Sequence, residues 1–258
     1  MRIYVSVSST KSQGLLYQAY KETVEHRLEK ANNLYQADVA LLLGGWDYKL
    51  SRTAHKAKRI GVPYVIVPLG DLSPWNLKHP SSRWWLKKGC YQKTLVRDAA
   101  CLIATTPMEK EQLLKLGWQG DVRLVRYPVY TKMATAQTMA EGIDIICRSA
   151  LAEHERRLQA QIADMSDDPI CRQLLTIYAR IPHRDIPREA IDKLHQLLMA
   201  DNYDEDLLAK EIGQLRLTGF SASLFQSMRD ITQLTEGFMP LPPKEGKLAK
   251  RISRYVRD

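Results

Sequence analysis

Cysteine is scarce in this chain. Four occur among 258 residues, Cys90, Cys101, Cys147 and Cys171, and no CxxC or Cys/His ligand spacing joins them, so neither a zinc site nor a disulfide framework is indicated. The thiols are expected to be reduced and mostly buried. Long hydrophobic runs are missing too. No apolar stretch approaches the roughly 18 to 20 residues that span a bilayer, and the opening MRIYVSVSST enters polar residues without a signal-peptide core. The expected location is cytoplasmic. Neither GxxxxGK[ST] nor GxGxxG occurs, and the six histidines, at 26, 55, 79, 154, 183 and 195, assemble no HExxH or Ser/His/Asp pattern. No metal and no resident cofactor is therefore expected. There is no internal repeat.

What is present is a soluble globular composition, 45% hydrophobic and 26% charged, long enough for one large domain or two small ones. The formal charge of +9 is uneven: residues 1 to 140 carry 21 Lys/Arg against 10 Asp/Glu, or +11, and 141 to 258 carry 17 against 19, or −2. A basic first half implies an anionic partner: nucleic acid, an acidic membrane surface or a phosphorylated ligand.

The two halves also differ in period. Arg2 to Ser8 alternates like a strand, and Asp38 to Leu43, Pro63 to Val67, Ala100 to Ala104 and Val122 to Val125 are short apolar runs, with helical stretches near 13–33, 50–60, 81–98 and 107–116 between them. Strand and helix repeated about five times predict a single Rossmann-like α/β domain over 1–135, a parallel sheet covered on both faces. From about Met139 every segment reads as helix, with Asp168-Pro169, Asp201-Asn202 and Gly219 as punctuation. An all-α region is expected over 136–238, then a basic tail over 239–258. That tail holds six Lys/Arg against two acids, and Leu248, Ile252, Tyr255 and Val256 fall on one helical face that a membrane would cover, unless the tail is simply solvated.

In open parallel sheets ligands bind beyond the carboxyl ends of the strands. That rule selects four loops. The first, SSTKSQG, offers Ser9, Thr10 and Gly14, as ligand contacts or as a plain turn and helix cap. Gly44, Gly45 and Trp46 open the second, where paired glycines allow close approach of a ligand or simply a tight turn. The third, GDLSPW, contributes Gly70, Asp71 and Trp75; Asp71 is a candidate base, or a cap for the turn. In the fourth, TTPME, Thr105, Thr106 and Glu109 precede and open a helix, and Thr before Pro107 also reads as an N-cap. Elsewhere Lys78, Arg83, Trp84, Trp85, Lys87 and Lys88 form a basic, Trp-bearing stretch suited to lipid headgroups or to ordinary solvation.

Read in order from Asp38 to Pro128, these pieces resemble the N-terminal half of family-4 glycosyltransferases of the GT-B fold. The chain has GGW where that family ends a strand on glycine and tryptophan, GVPYVIVPLG for its GVPYVxxPHG, and LSPW for its LxPW. A basic helix follows, then RDAACLIATTPME for RxAxxxxATSxxE, LLKLG for LxxLG, and the closing YPVY. The resemblance implies transfer of a sugar from a nucleotide-diphosphate donor to a lipid-linked or glycan acceptor at the cytoplasmic membrane. It also implies that this half holds the acceptor and touches acidic membrane. Three departures accompany it. Leu69 stands where the family has a histidine, no two glutamates lie eight positions apart, and the second half is short and helical where the family has a donor-binding sheet.

Three functional expectations follow. The first is a glycosyltransferase-like protein contributing an acceptor-binding half to glycan or cell-envelope polysaccharide synthesis, with a nucleotide-sugar-binding partner subunit. The second is a catalytically inactive scaffold that keeps the fold. Nucleic-acid binding ranks last, suggested only by the basic first half.

Overall fold

Five apolar runs become the strands of one parallel sheet: β1 (Ile3–Val7), β2 (Val39–Leu43), β3 (Tyr64–Val67), β4 (Cys101–Ala104) and β5 (Val122–Leu124), hydrogen-bonded in that order. The computed structural model describes residues 1–9, 14–73, 91–132, 134–200 and 202–257. Every residue of β2, β3 and β4 is buried, which is why these runs show no polar alternation: helices cover both faces. The helices are α1 (Leu15–Arg27), α2 (Tyr48–Ile60), α3 (Lys93–Arg97), α4 (Pro107–Leu116) and α5 (Ala136–Met165), followed by α6 to α10 below.

Strand residues two apart share a face, and the packing follows that parity. Leu41, Leu43, Val65, Val67 and Ile103 meet Tyr17, Tyr20 and Val24 of α1 and Met139, Ile143 and Cys147 of α5. Ala40, Leu42, Ile66 and Leu102 meet Leu50, Ala54 and Ala57 of α2, with Leu95 of α3 and Leu113 of α4, on the other face. Local chemistry sets the helix ends. Asp47 caps α2 by accepting from the Lys49 amide at 2.8 Å, and Gly61 closes it in the left-handed region at φ 78°. Thr106 caps α4, with Pro107 in its first turn and Gly117 at its end, φ 66°.

One pairing outside the named strands decides the topology. Ile3 donates to Glu29 O at 2.8 Å and accepts from Ala31 N at 2.9 Å, a parallel bridge to Lys30. The Ile3 amide and carbonyl point away from β2, whose pairing with β1 uses Arg2 O and Ser8 N. The chain therefore leaves β1 through α1 on one face and touches the outer edge at Lys30. It then returns over the other face, through the single turn Leu34–Gln36, to enter β2. Moving outward over one face and back over the other keeps both crossovers of one hand, as right-handed connection requires. The direction of winding thus reverses between β1 and β2.

By contact density the chain divides into two compact units, Met1–Glu155 and Arg156–Asp258, and the division falls inside α5. The second unit is built from α6 (Pro169–Arg180), α7 (Arg188–Met199), α8 (Glu205–Gln214), α9 (Thr218–Thr232) and α10 (Lys247–Tyr255). Leu174, Ile177, Leu194, Leu198, Ile212, Phe225 and Met228 form its core. It is not purely α-helical. Ile186–Pro187 and Val256–Arg257 form a two-residue parallel pair, too short for any period-2 signature to appear in sequence.

That pair and α10 settle where the basic C-terminal segment lies. Ile252 is fully buried in the second core, with Leu248, Tyr255 and Val256 packed against it, and Ser227 Oγ donates to Ala249 O at 2.8 Å. The apolar face that a membrane was one candidate to cover is occupied by protein. Among the described residues, no helix is long and apolar enough to cross a membrane.

Candidate functional site

A reversal of winding opens a crevice at the carboxyl ends of the two strands that flank it, because the loops there diverge to opposite faces. Here those strands are β1 and β2, and their loops begin Ser8-Ser9 and Gly44-Gly45-Trp46-Asp47. Ser9, Gly44, Gly45, Trp46, Gly70, Asp71, Thr105 and Glu109 all converge at this end of the sheet, through the contacts that follow. Gly14 stands at the start of α1, in extended backbone, and accepts from Tyr17 N at 3.0 Å. Thr10, Trp75, Lys78, Arg83, Trp84, Trp85, Lys87 and Lys88 lie outside the described residues.

Three buried carboxylates hold these loops together, each reaching back to the loop of the preceding strand. Asp47, after β2, accepts from Ser9 after β1, from the amide and from Oγ, the latter at 2.9 Å. Asp71, after β3, accepts from the Gly45 amide after β2 at 2.9 Å. Glu109, at the start of α4 beyond β4, accepts from the Gly70 amide after β3 at 2.7 Å, while its second oxygen accepts from Thr105 N and Thr105 Oγ1, both at 2.7 Å. Thr106 and Glu109 stand three residues apart, the spacing at which a capping box could close. The cap itself forms, with Thr106 Oγ1 accepting from Glu109 N at 3.1 Å, but the glutamate turns to Thr105 and to the neighbouring loop.

Burial governs the electrostatics. At Asp47 it pushes the carboxyl up, but hydrogen bonds from Lys49, Ser9 and Ser8 outweigh it and hold the group below the usual carboxylate range. Burial, then the Asp71 carboxylate, push the Tyr17 phenol up, so that hydroxyl stays protonated at the Asp71 side of the crevice. Burial acts the same way on three cysteines: it pushes the Cys101 and Cys171 thiols up to about 12 and that of Cys147 up as well, which disfavours the reactive thiolate; Cys90 lies outside the described residues. Among the described residues, no group of three His, Cys, Asp or Glu side chains is placed to hold a metal ion.

Space is tight at the two glycines that follow β2. Gly44 has φ +103°, and a Cβ there would sit 3.0 Å from Ser8 Cβ and 3.2 Å from Asp71 Oδ2; one on Gly45 would lie 3.3 Å from Asp71 Cβ. Trp46 is left-handed at φ 58°, uncommon for a bulky residue. Three contacts hold it there: its amide donates to Gln92 Oε1 at 2.7 Å, its indole Nε1 to Asp71 O at 2.7 Å, and Tyr91 OH donates to its carbonyl at 3.2 Å. Leu69, φ 52°, and Gly70, φ 85°, form a second left-handed pair, closed by Asp71 N donating to Pro68 O at 3.1 Å. Leu69 itself is buried at 6% exposure in the apolar cluster with Tyr17 and Tyr127.

Tyr17, Gln92 and Tyr91 were not singled out from sequence. Gln92 lies 46 residues from its partner Trp46, and nothing local marks it. The surrounding YQKTLVR mixes polar and apolar residues, and that Gln92 has no exposed surface shows only in the structure. Comparison of the chain with protein-family models, curated proteins and solved structures found no match in any of the three.

Proposed function

We propose that this chain is a glycosyltransferase-like protein of the family-4, GT-B N-terminal type. In this reading it contributes an acceptor-binding half to glycan or cell-envelope polysaccharide synthesis, with the donor-binding part supplied by a partner. One observation carries it: GGW, the end of GVPYVIVPLG and TTPME fall on successive strand-end loops that meet beside the reversal of winding between β1 and β2. A ligand site is expected there on topological grounds alone. The second unit agrees with a partnered donor site, since among its described residues the only sheet is a two-residue pair. Work on lipid-linked acceptors would place the protein peripherally at the inner face of the membrane.

Isothermal titration tests this. Lipid-linked or free glycan acceptors should bind with the isolated chain, and nucleotide sugars only once the partner is present. Absence of binding to both classes, alone and with co-purified partners, removes the reading.

A second reading draws on a specific feature. Asp47, Asp71 and Glu109 each hold a neighbouring loop, and Leu69 fills the place of the family's histidine. A fold kept without its reacting groups is a scaffold. It predicts a stable hetero-complex that forms equally well without any sugar ligand, and a monomer in pull-downs from its own cell counts against it.

A further inference from the structure

Helix α2 carries Lys49, Arg52, His55, Lys56, Lys58 and Arg59 and no acidic residue. Lys49, Arg52, Lys56 and Arg59 recur at steps of three, four and three, the spacing of one helical stripe. At about 1.5 Å per residue the stripe is roughly 15 Å long, a cation about every 5 Å. It lines an open groove of about 1170 Å³ that begins at Ser9, Asp47 and Tyr48 and ends near Asp98. The groove therefore starts at the β1–β2 crevice. Among the described residues, no carboxylate pairs with Lys49, Arg52 or Arg59. The two acids that line the groove are already engaged, Asp47 by Ser9 and Lys49 amides and Asp98 by Lys58 and Arg97.

We infer that this groove binds a phosphate-bearing saccharide chain, whose end reaches the crevice while its phosphates lie along the α2 stripe. The saccharide part rests on the acceptor reading above; the phosphate part rests on the stripe. The volume exceeds the roughly 300 to 1,000 Å³ of ordinary small-molecule pockets and suits an extended chain. Hydroxyls of Ser51, Thr53 and Thr94 line it beside the cations, a mixture that matches sugar hydroxyls and phosphate oxygens together. Among the described residues lining the groove, the exposed aromatic surface lies at the crevice end, where Tyr48, 64% exposed, meets Tyr91 edge-to-face at 6.0 Å; Tyr64, which also lines it, is only 4% exposed. One platform serves one sugar ring. Single-stranded nucleic acid sites instead stack successive bases along the strand, and a flat bilayer does not fill a concave groove.

The test uses the full chain and its Arg52→Glu/Arg59→Glu variant, with circular dichroism to confirm that both are folded; the two side chains are exposed and outside both cores. The probes are a phosphodiester-linked oligosaccharide, the same oligosaccharide without phosphate, a thymidylate 12-mer, and phosphatidylglycerol against phosphatidylcholine vesicles. The phosphorylated saccharide should bind, about tenfold more weakly to the variant, with the salt slope reduced by about two. Tyr48→Ala should weaken it about threefold without altering the salt slope. Equal affinity for the dephosphorylated saccharide, or no effect of the arginine reversals, overturns the inference and leaves the acceptor reading standing. Failure of both saccharides to bind ends both. Thymidylate or acidic vesicles binding as tightly, and as sensitively to the reversals, overturns it in favour of those partners.

Discussion

Asp71 Oδ2 accepts the Gly45 amide at 2.9 Å, across the ends of two adjacent strands. With Asp71 4% exposed, that bond spends the carboxylate on the shape of the crevice. The same holds one strand further on, where Glu109 accepts the Gly70 amide at 2.7 Å, and one strand back, where Asp47 holds Ser9.

Removing either acceptor leaves a buried amide without a partner, which costs about 1–3 kcal/mol. Asp71→Ala and Glu109→Ala should each lower the urea unfolding free energy by about 2 kcal/mol. Asp71→Asn, which retains one acceptor oxygen, should cost less. An unchanged midpoint for both alanine variants would show that the staples contribute nothing.

Asp47 makes stability depend on pH at the acid end. Its folded-state value lies below the ordinary 3.8, so its contribution is complete above that value and is lost as the pH falls through the lower folded-state one. Thermal melts of Asp47→Asn between pH 5 and 2 should therefore show a shallower fall than the parent chain, and a lower melting temperature at pH 7. Parallel curves would mean that Asp47 does not titrate with folding.

Two glycines separate conformational strain from lack of space. Gly70 has φ +85° with nothing near its missing Cβ, whereas Gly44 has φ +103° and Ser8 Cβ at 3.0 Å. Gly70→Ala should cost about 1 kcal/mol for the left-handed backbone alone. Gly44→Ala should cost roughly 3 kcal/mol, since Ser8 Cβ is attached to the end of a paired strand and cannot swing aside. Equal losses in chemical denaturation would contradict the crowding argument.

The C-terminal helix gives the fourth prediction. Ile252 has no exposed surface, so Ile252→Ala should destabilise the second unit by about 2–4 kcal/mol. Flotation with acidic liposomes should be the same for the folded variant and the parent. A variant of full stability with weakened flotation would instead return that face to the membrane.

Much of the first unit was legible because buried parallel strands and amphipathic helices leave local signatures. The strand runs and the Thr106 cap follow from neighbours within a few positions, whereas the Asp47 cap and the Gly61 stop emerged only with the structure. The choice of loops was legible too, since ligands gather at strand ends. The bridge at Lys30 was not legible. It is one residue long, yet it turns a simple succession of strands into a sheet with a reversal. Gln92 and Tyr91, which hold Trp46 left-handed, could not be paired with it across 46 and 45 residues.

The sequence alone determined the α/β order of the first unit, the helical character of most of the second and the basic charge of the first half, because each is a property of adjacent residues. Tertiary structure decided what the acids do. Asp47, Asp71 and Glu109 find their partners 38, 26 and 39 residues away, where strand ends meet, and a carboxylate buried among amides must accept hydrogen bonds from them. It also decided that the four cations of α2 share one open groove, since a helix's charges are written in sequence but the space beside them is made by its neighbours.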